Sequence, residues 1–101
     1  MAKWNIDYSE TVEEWLDALT TGQLKGVAKE LRLLELCGNT LKLPHSKALT
    51  GGLFELRERH HGLRLYYGFG KEGQIILIHA GNKKTQNKDI KKARQLLARM
   101  A

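Results

Sequence analysis

Arginines that can hold a phosphate are predicted to share one face of a β-hairpin. The segments "LFELRER" and "LRLYYGF" have the pattern of strands joined by "HHG", and a two-residue turn there would place Arg59 opposite Arg64 and Arg57 opposite Tyr66. Directly opposed like charges disfavour a sheet unless something compensates them. A bound phosphate backbone would provide that compensation. The alternative is a solvated face whose arginines pair with Glu55 or Glu58.

Two further cations follow the next predicted strand. The run "QIILIHA" is apolar on both faces, which indicates an interior strand, and Lys83 and Lys84 come shortly after it. A short neutral turn could also connect this strand to the next element, so the connection alone does not explain two adjacent lysines. Their position relative to the hairpin depends on the sheet register, which the sequence leaves open. If they lie beside the arginines, five cations converge on one surface.

The net charge of +6 is concentrated in one half of the chain. Residues 1–50 carry 6 Lys/Arg against 7 Asp/Glu, and residues 51–101 carry 11 against 4, so the halves have net charges of −1 and +7. A basic surface of this kind points to a polyanion partner, either nucleic acid or an acidic protein. The charges of the final segment, "KDIKKARQLLAR", are typical of a solvated helix face.

Length and cysteine content limit the class of protein. The 101 residues, 42% of them hydrophobic, suffice for a single domain, residues 1–101, with one modest core. The only cysteine, Cys37, cannot form an intrachain disulfide, and no Cys/His spacing resembles a zinc site. The start is charged where a secretory signal would be apolar, and no run of 18 uncharged apolar residues occurs. We therefore expect a soluble, cytoplasmic protein that uses no metal and no membrane.

The first half of the chain predicts one strand and two helices. "KWNIDY" alternates apolar and polar residues as a short strand does. Thr11 with Glu14, and Thr20 with Gln23, have the spacing of capping boxes at the starts of two successive helices. Gly38 can end the second helix. With only a residue or two between them, the helices should form a hairpin.

The second half predicts the sheet and a last helix. Residues 39–52 have no clean period and are interpreted as a loop. Three strands joined by "HHG" and "GKEG" then favour an antiparallel meander, and a helix begins with Asn87 as its N-cap. The predicted class is α+β, in which an N-terminal strand and a two-helix hairpin pack on an antiparallel sheet of about four strands, with a C-terminal helix.

Four motifs in this half occur in an order that is typical of one family. They are a Gly-Leu-aromatic-Glu-Leu-Arg strand at 52–57, Gly-x-Arg at 62–64, an apolar strand ending near His at 75–79, and Lys-Lys-Thr at 83–85 before a basic helix. With the helix hairpin and the Leu/Pro/Lys-containing connection before them, they resemble the RelE/HigB-type toxins of bacterial toxin–antitoxin modules, in the phage-derived HigB-like branch. The resemblance covers nearly the whole chain and implies a RelE/ParE-like fold.

The resemblance implies an mRNA interferase that enters the ribosomal A site and cleaves the codon there. In that chemistry the RNA's own 2′-hydroxyl attacks the adjacent phosphate without a metal or other cofactor, and fixed cations stabilise the phosphorane. By match to the family pattern, Arg64 and Arg57 would stabilise the phosphate, and Lys83 and Lys84 would add charge at the scissile phosphate or at rRNA. Three further residues are RNA-binding candidates: Arg59, Tyr66 and Lys47.

The resemblance does not assign the acid and the base. Relatives use a lysine in the "LFELR" strand and a tyrosine or a His/Asp pair near the chain end, whereas here that strand offers Glu55 and the last helix has no Tyr or His. His79 and His45 are acid–base candidates, because an unperturbed imidazole titrates near ~6.5. His79 is predicted on the Ile75/Leu77 side of its strand, where a structural hydrogen bond is the alternative role.

Two other functions fit the same scaffold. ParE-type toxins are similar in fold yet inhibit DNA gyrase by binding it, and an inactive phage-derived relative would only bind an antitoxin. The resemblance also implies the partners of the interferase. They are a cognate antitoxin, usually a helix-turn-helix DNA-binding protein, together with the ribosome and mRNA.

Overall fold

A five-stranded mixed sheet separates two helical layers in the structure, a computed structural model that describes residues 3–100. In chain order the elements are β1 (Asn5–Tyr8), α1 (Glu10–Asp17), α2 (Thr21–Cys37), β2 (Ser46–Ala48), β3 (Phe54–Glu58), β4 (Leu63–Phe69), β5 (Gln74–Asn82) and α3 (Gln86–Met100). A short 3-10 turn, Gly38–Thr40, follows α2. The α+β class predicted from the sequence is confirmed.

The starts of the first two helices are set by side-chain caps. Thr20 accepts a hydrogen bond from the Gln23 backbone while the Gln23 side chain accepts one from the Thr20 backbone, so the predicted capping box of α2 is confirmed. The prediction for α1 is wrong by two residues, because Ser9 is the cap and accepts from Val12 N at 3.2 Å. Thr11 therefore lies inside the first turn.

The sheet has one more strand than the sequence predicts and is not wholly antiparallel. Its order is β1-β5-β4-β3-β2, with β1 parallel to β5 and the other neighbours antiparallel. The added strand, β2, lies within residues 39–52, which were predicted to be a loop. Three residues are too few to show a two-residue period, so only pairing with β3 reveals the strand. As predicted for a run apolar on both faces, β5 lies inside the sheet.

Helices cover both faces of this sheet. On one face α1 and α2 pack over a core that contains Val12, Val27, Leu34, Leu56, Leu65, Tyr67, Ile75 and Leu77. On the other face α3 packs over a smaller cluster of Leu53, Tyr66, Ile78 and Ala93. Neighbouring residues such as Tyr66 and Tyr67 point to opposite faces because the side chains of a strand alternate. The α3 face is the one that also carries the arginines.

The hairpin of β3 and β4 has a longer turn than predicted. Arg57 pairs with Arg64, and Glu55 pairs with Tyr66, so four residues rather than two connect the strands. The shift amounts to two positions, and a shift by an even number leaves every side chain on its predicted face. Arg59, however, leaves the strand and lies exposed in the turn, so it does not face Arg64.

A β-bulge in β5 changes the direction of His79. Tyr66 pairs with His79 and Tyr67 pairs with Leu77, which leaves Ile78 as an extra residue between them. Both Ile78 and His79 consequently lie on the α3 face, beside Tyr66. The prediction that His79 lies on the side of Leu77 is therefore wrong.

The last helix begins one residue before the predicted cap. Gln86 is its first residue, so Asn87 lies inside the helix. Asp89 N donates to Thr85 O at 2.9 Å, so the residue immediately before the helix accepts the backbone bond of its first turn. Ala93 is buried against the sheet, with Ile90 and other apolar residues of the same helix beside it. None of the helices within residues 3–100 is long and apolar enough to cross a membrane.

Gly38→Ala should destabilise the fold more than Gly73→Ala. Both glycines have positive φ, +52° and +74°, so alanine adds about 1–2 kcal/mol of backbone strain at either position. At position 38 the new methyl group would also overlap the Trp4 indole, whereas at position 73 nothing lies within 4 Å. Overpacking adds about 1–3 kcal/mol. Urea unfolding should therefore give a lower midpoint for Gly38→Ala, and equal midpoints would contradict the packing of Trp4 on the end of α2.

Candidate functional site

Two rows of side chains cross the α3 face of the sheet. The first row follows the register from β2 to β5 through Lys47, Glu55, Tyr66 and His79. The second row contains Arg57, Arg64 and Gly81. The register thus brings five of the predicted site residues onto one face of the sheet: Lys47, Arg57, Arg64, Tyr66 and His79.

The two opposed arginines are held by a buried carboxylate. Glu55 is fully buried, and one of its oxygens accepts from Arg57 Nε at 2.9 Å and from Arg64 Nη1 at 3.5 Å. Its other oxygen accepts from Gln86 Nε2, in the first turn of α3, at 2.7 Å. Burial alone would raise the pKa of Glu55, but the bonds from Gln86 and Arg57 and the charges of both arginines lower it below its ordinary value.

Both arginines keep donors for a further anion. The side chain of Arg57 is 24% exposed and that of Arg64 is 16% exposed. Each guanidinium donates to Glu55 through only one of its nitrogens. Arg64 Nε is buried and makes no hydrogen bond within the described residues. Because a guanidinium carries five N–H donors, a phosphate can bind both side chains while Glu55 stays in place.

Tyr66 lies beneath this pair rather than on the surface. It is fully buried, and its hydroxyl has no hydrogen-bond partner among residues 3–100. Burial first, and then the neighbouring charge of Glu55, raises the pKa of Tyr66, so the phenol is protonated at neutral pH. Its ring lies 6.5 Å from that of His79, centroid to centroid and nearly parallel. Stacking on an RNA base, which the sequence suggested, would require the site to open.

His79 is oriented by a carboxylate from α3. Its Nε2 lies 3.1 Å from Asp89 Oδ1, and Thr85 Oγ1 donates to Asp89 Oδ2 at 2.5 Å. When Nε2 donates to this carboxylate, the ring proton is on Nε2 and Nδ1 carries the lone pair. Nδ1 is buried and without a partner in the described part of the chain. An imidazole held in one tautomer by a carboxylate is suited to accept a proton.

Asp89 was missed in the sequence because it stands in a run of charged residues typical of a solvated helix face. In the structure a Cβ at position 81 would overlap the Asp89 carboxylate. The glycine therefore lets α3 approach β5 closely enough for Asp89 to reach His79. Glu55 was considered in the sequence as a partner of the arginines on a solvated face, and the pairing is confirmed. Its burial was not predicted, and its second oxygen accepts from Gln86, which is distant in sequence.

The two lysines after β5 lie at the same end of the sheet as the arginines. Lys83 N donates to Gly62 O at 2.9 Å, and the aliphatic part of Lys83 lies over Gly62, two residues before Arg64. Lys84 N donates to the Asn82 side chain at 2.8 Å. Both lysine side chains are exposed. They extend the basic surface beyond Arg64 without contacting Glu55.

Two of the other predicted residues lie away from the arginine pair, and Lys47 lies at the edge of the same face. His45 Nδ1 lies 2.8 Å from Glu30 of α2, which places its ring on the side of the sheet away from the arginines. Arg59 lies in the β3–β4 turn, and Lys47 is exposed on the edge strand. Within residues 3–100 no group of three or more His, Cys, Asp or Glu residues could hold a metal ion. The candidate site therefore consists of the arginine pair, Tyr66 and the imidazole of His79.

Comparisons with known proteins agree with this architecture. A family model described as "Phage derived protein Gp49-like" matches residues 14–99. No curated protein sequence matches the chain. The solved structure of the isolated Escherichia coli RelE toxin is similar with a TM-score of 0.63 and 16% identity, over 88% of this chain and 97% of that one.

Two similar structures come from toxin–antitoxin complexes. In the RelE–RelB complex of Pyrococcus horikoshii the matching chain has a TM-score of 0.61 and 17% identity, over 82% of this chain and 97% of that one. In the RelBE2 complex of Mycobacterium tuberculosis the values are 0.60 and 19%, over 80% and 99%. At such identities the likeness shows the fold alone. The predicted RelE/ParE-like fold is confirmed.

Replacing Glu55 with glutamine should destabilise the protein by about 3 kcal/mol, the usual loss when one partner is removed from a buried ion pair. The two opposed arginines would then repel each other without compensation. Chemical denaturation at neutral pH measures the change. Glu72→Gln, which removes the same charge at an exposed position, is the matched control and should leave the unfolding free energy nearly unchanged.

The difference between wild type and Glu55→Gln should shrink in acid. Because the pKa of Glu55 is lowered in the folded protein, the ionised carboxylate stabilises the fold above its ordinary pKa of 4.5. This contribution is lost as the pH falls from there through the lower folded-state pKa. Unfolding free energies that differ by the same amount at pH 7 and at pH 3 would contradict an ionised Glu55.

Proposed function

The chain belongs to the Gp49-like family of phage-derived proteins, and from this premise we propose that it is the toxin of a type II toxin–antitoxin module that cleaves mRNA on the ribosome. The RelE fold supports the proposal. The observation that carries it is the convergence of Arg57 and Arg64 with an Asp89-oriented His79 on one face of the sheet. These groups match what a metal-independent attack by a 2′-hydroxyl requires.

His79 takes the role of general base. Its Nδ1 accepts the proton of the 2′-hydroxyl, and Asp89 holds Nε2–H and stabilises the imidazolium that forms. Nδ1 is shielded from water in the free protein. RNA must therefore shift neighbouring side chains when it binds, and catalytic hydrogen bonds commonly tighten only in the complex.

The arginine pair stabilises the phosphorane. As the 2′-oxygen bonds to phosphorus, negative charge grows on the non-bridging oxygens, where Arg57 and Arg64 present their remaining N–H groups. Glu55 keeps both guanidinium groups in position before RNA arrives, so little reorganisation is needed. The P–O5′ bond then breaks, which yields a 2′,3′-cyclic phosphate and a 5′-hydroxyl.

The lysines bind the RNA backbone and donate a proton to the leaving group. Lys83, next to Gly62 at the arginine end of the sheet, supplies the proton that the departing 5′-oxygen requires. Lys84 and the edge-strand residue Lys47 are exposed and bind neighbouring phosphates. The net charge of +7 in residues 51–101 favours association with the ribosome.

A cognate antitoxin is part of the proposal. Similar chains were solved as RelE–RelB and RelBE2 toxin–antitoxin complexes. A cationic nuclease also needs restraint in the cell that makes it. We expect the antitoxin to be a helix-turn-helix DNA-binding protein, as the family resemblance implies.

Arg64→Ala should lower cleavage by about 10²–10³-fold, the usual effect of removing one group that stabilises developing charge. Primer extension on translated mRNA after induction measures the cuts, and growth arrest should weaken in parallel. Arg99→Ala is the matched control, because it removes an exposed arginine at the far end of α3. The Lys83→Ala/Lys84→Ala pair should reduce cleavage as well, while circular dichroism shows each variant folded.

The same measurement separates the classes of toxin. Codon-phased cuts that disappear when translation is blocked are expected of the ribosome-dependent nuclease. Intact mRNA together with inhibited DNA supercoiling would instead identify a gyrase inhibitor. Growth arrest by Arg64→Ala as strong as that of wild type would remove Arg64 from the mechanism.

Asp89→Asn should lower the single-turnover cleavage rate on programmed ribosomes by about 10²-fold or more, because the tautomer of His79 is no longer fixed. His79→Ala should lose at least as much. The ¹⁵N chemical shifts of the His79 ring report the tautomer directly. A normal rate in Asp89→Asn despite a changed tautomer would show that His79 is structural.

A further inference from the structure

A second basic surface lies on the opposite side of the sheet. A cavity of about 430 Å³ opens between α2 and the turn from Arg59 to Gly62. Lys25 and Lys29 line it from the helix, Arg59 and His60 line it from the turn, and Glu30 and Glu58 also contribute to its wall. The proposed mechanism uses none of these residues.

The cavity exists because the turn packs closely against a part of α2 that lacks side chains. Gly22 and Gly26 are one helical turn apart, and a Cβ on Gly26 would overlap the Glu58 carboxylate. A Cβ on Gly22 would lie 3.8 Å from His61 Nε2. Gly26 therefore lets Glu58 approach the helix, with the two lysines beside it, whereas a Cβ at position 22 would make only an ordinary contact with His61.

The carboxylates of the cavity are already paired with histidines. Glu58 is only 4% exposed, and it accepts from His61 N at 2.7 Å and pairs with His61 Nδ1 at 3.0 Å. Burial alone would raise the pKa of Glu58, but these bonds and the charges of nearby histidines lower it. Glu30 is buried as well and pairs with His45 Nδ1 at 2.8 Å.

The cations, by contrast, form no ion pair with the described residues. Lys25, Lys29 and Arg59 are exposed, and none of them forms an ion pair with any residue in the range 3–100. Like charges four residues apart on a helix, as in Lys25 and Lys29, destabilise it slightly. These three exposed cations are therefore available to an anion that enters the cavity.

The β3–β4 turn joins this cavity to the candidate active site. The Lys83 side chain lies over Gly62 at one end of the turn, and Arg59 and His60 stand at its other end in the cavity wall. Basic residues thus continue from Arg64 past Lys83 and around the turn to α2. An extended polyanion that occupies the active site can continue along this path.

We infer that the cavity between α2 and the turn is a second RNA-binding site that holds the phosphodiester backbone through Lys25, Lys29 and Arg59. The imidazole of His60 stands beside these cations and offers a ring on which an unstacked base can lie. The inference rests on the proposed function, because RNA is favoured over an acidic protein by the continuity with the arginine site. The backbone can come from ribosomal RNA or from mRNA.

The test compares two variants that remove the same charge. Lys25→Ala/Lys29→Ala/Arg59→Ala removes the three cavity cations, and Lys88→Ala/Lys91→Ala/Lys92→Ala removes three exposed lysines of α3. Fluorescence anisotropy with labelled, cleavage-resistant 2′-O-methyl single-stranded RNA forms one arm. Binding to purified ribosomes without mRNA forms the other, and both arms are repeated at several salt concentrations.

The cavity variant should bind at least 10-fold more weakly than the control variant. Its plot of log K against log salt concentration should also be shallower by about 2, since each lost single-strand phosphate contact contributes about 0.7. A loss in the ribosome arm alone assigns the site to ribosomal RNA, and a loss in both arms assigns it to single-stranded RNA in general. Circular dichroism establishes that both variants are folded.

Equal affinities of the two variants in both arms would overturn the inference, because binding would then follow net charge alone. Unchanged RNA affinity together with weaker binding to the purified cognate antitoxin would assign the cavity to a protein and overturn it as well. Since both arms measure binding and not cleavage, their result is independent of whether wild type cuts mRNA. Failure of this site is therefore distinguishable from failure of the proposed nuclease.

Discussion

The buried carboxylate of Glu55 is the interaction on which the rest of the site depends. Arg57 and Arg64 are directly opposed in the register of β3 and β4, a pairing that repulsion would disfavour without a shared anion. Glu55 supplies that anion from the same strand, and Gln86 of α3 holds its second oxygen. Glu55 thereby couples three features: the strand register, the docking of α3 and the arrangement of the cations. None of the three can shift without leaving a charge buried and unpaired.

The bulge in β5 couples the opposite helical layer to the same site. The extra residue, Ile78, turns His79 away from the main core and toward Asp89. Ser9, the cap of α1, donates its hydroxyl to Ile78 O at 3.1 Å, and Ser9 N donates to Leu77 O. The backbone at the bulge is thus satisfied by the start of α1. One side of the sheet stabilises an irregular strand, and the other side gains an imidazole directed toward α3.

The sequence predicts the faces of the hairpin correctly although it predicts the wrong register, because an even shift preserves the two-residue period. It cannot predict the direction of His79, since an extra residue in a strand of continuous apolar residues has no sequence signature. Contacts between residues that are distant in sequence, such as Gln86 with Glu55, cannot be predicted from the sequence either.

The order of the motifs predicted the fold, although single residues did not. The RelE/ParE-like fold inferred from that order agrees with the structure. The strand β2 escaped detection because three residues carry too little pattern.

The position of Glu55 raises the question of whether it competes with RNA. Its oxygen binds Arg57 through Nε and Arg64 through Nη1, so each guanidinium retains most of its five donors. Glu55 is fully buried, whereas both arginines are partly exposed, so the carboxylate approaches from inside the protein and a phosphate approaches from solvent. The two anions can therefore occupy opposite sides of the same pair of cations. In the proposed mechanism Glu55 is therefore a positioning residue that holds the arginines before RNA binds, and its charge would also limit how strongly the free site attracts other anions.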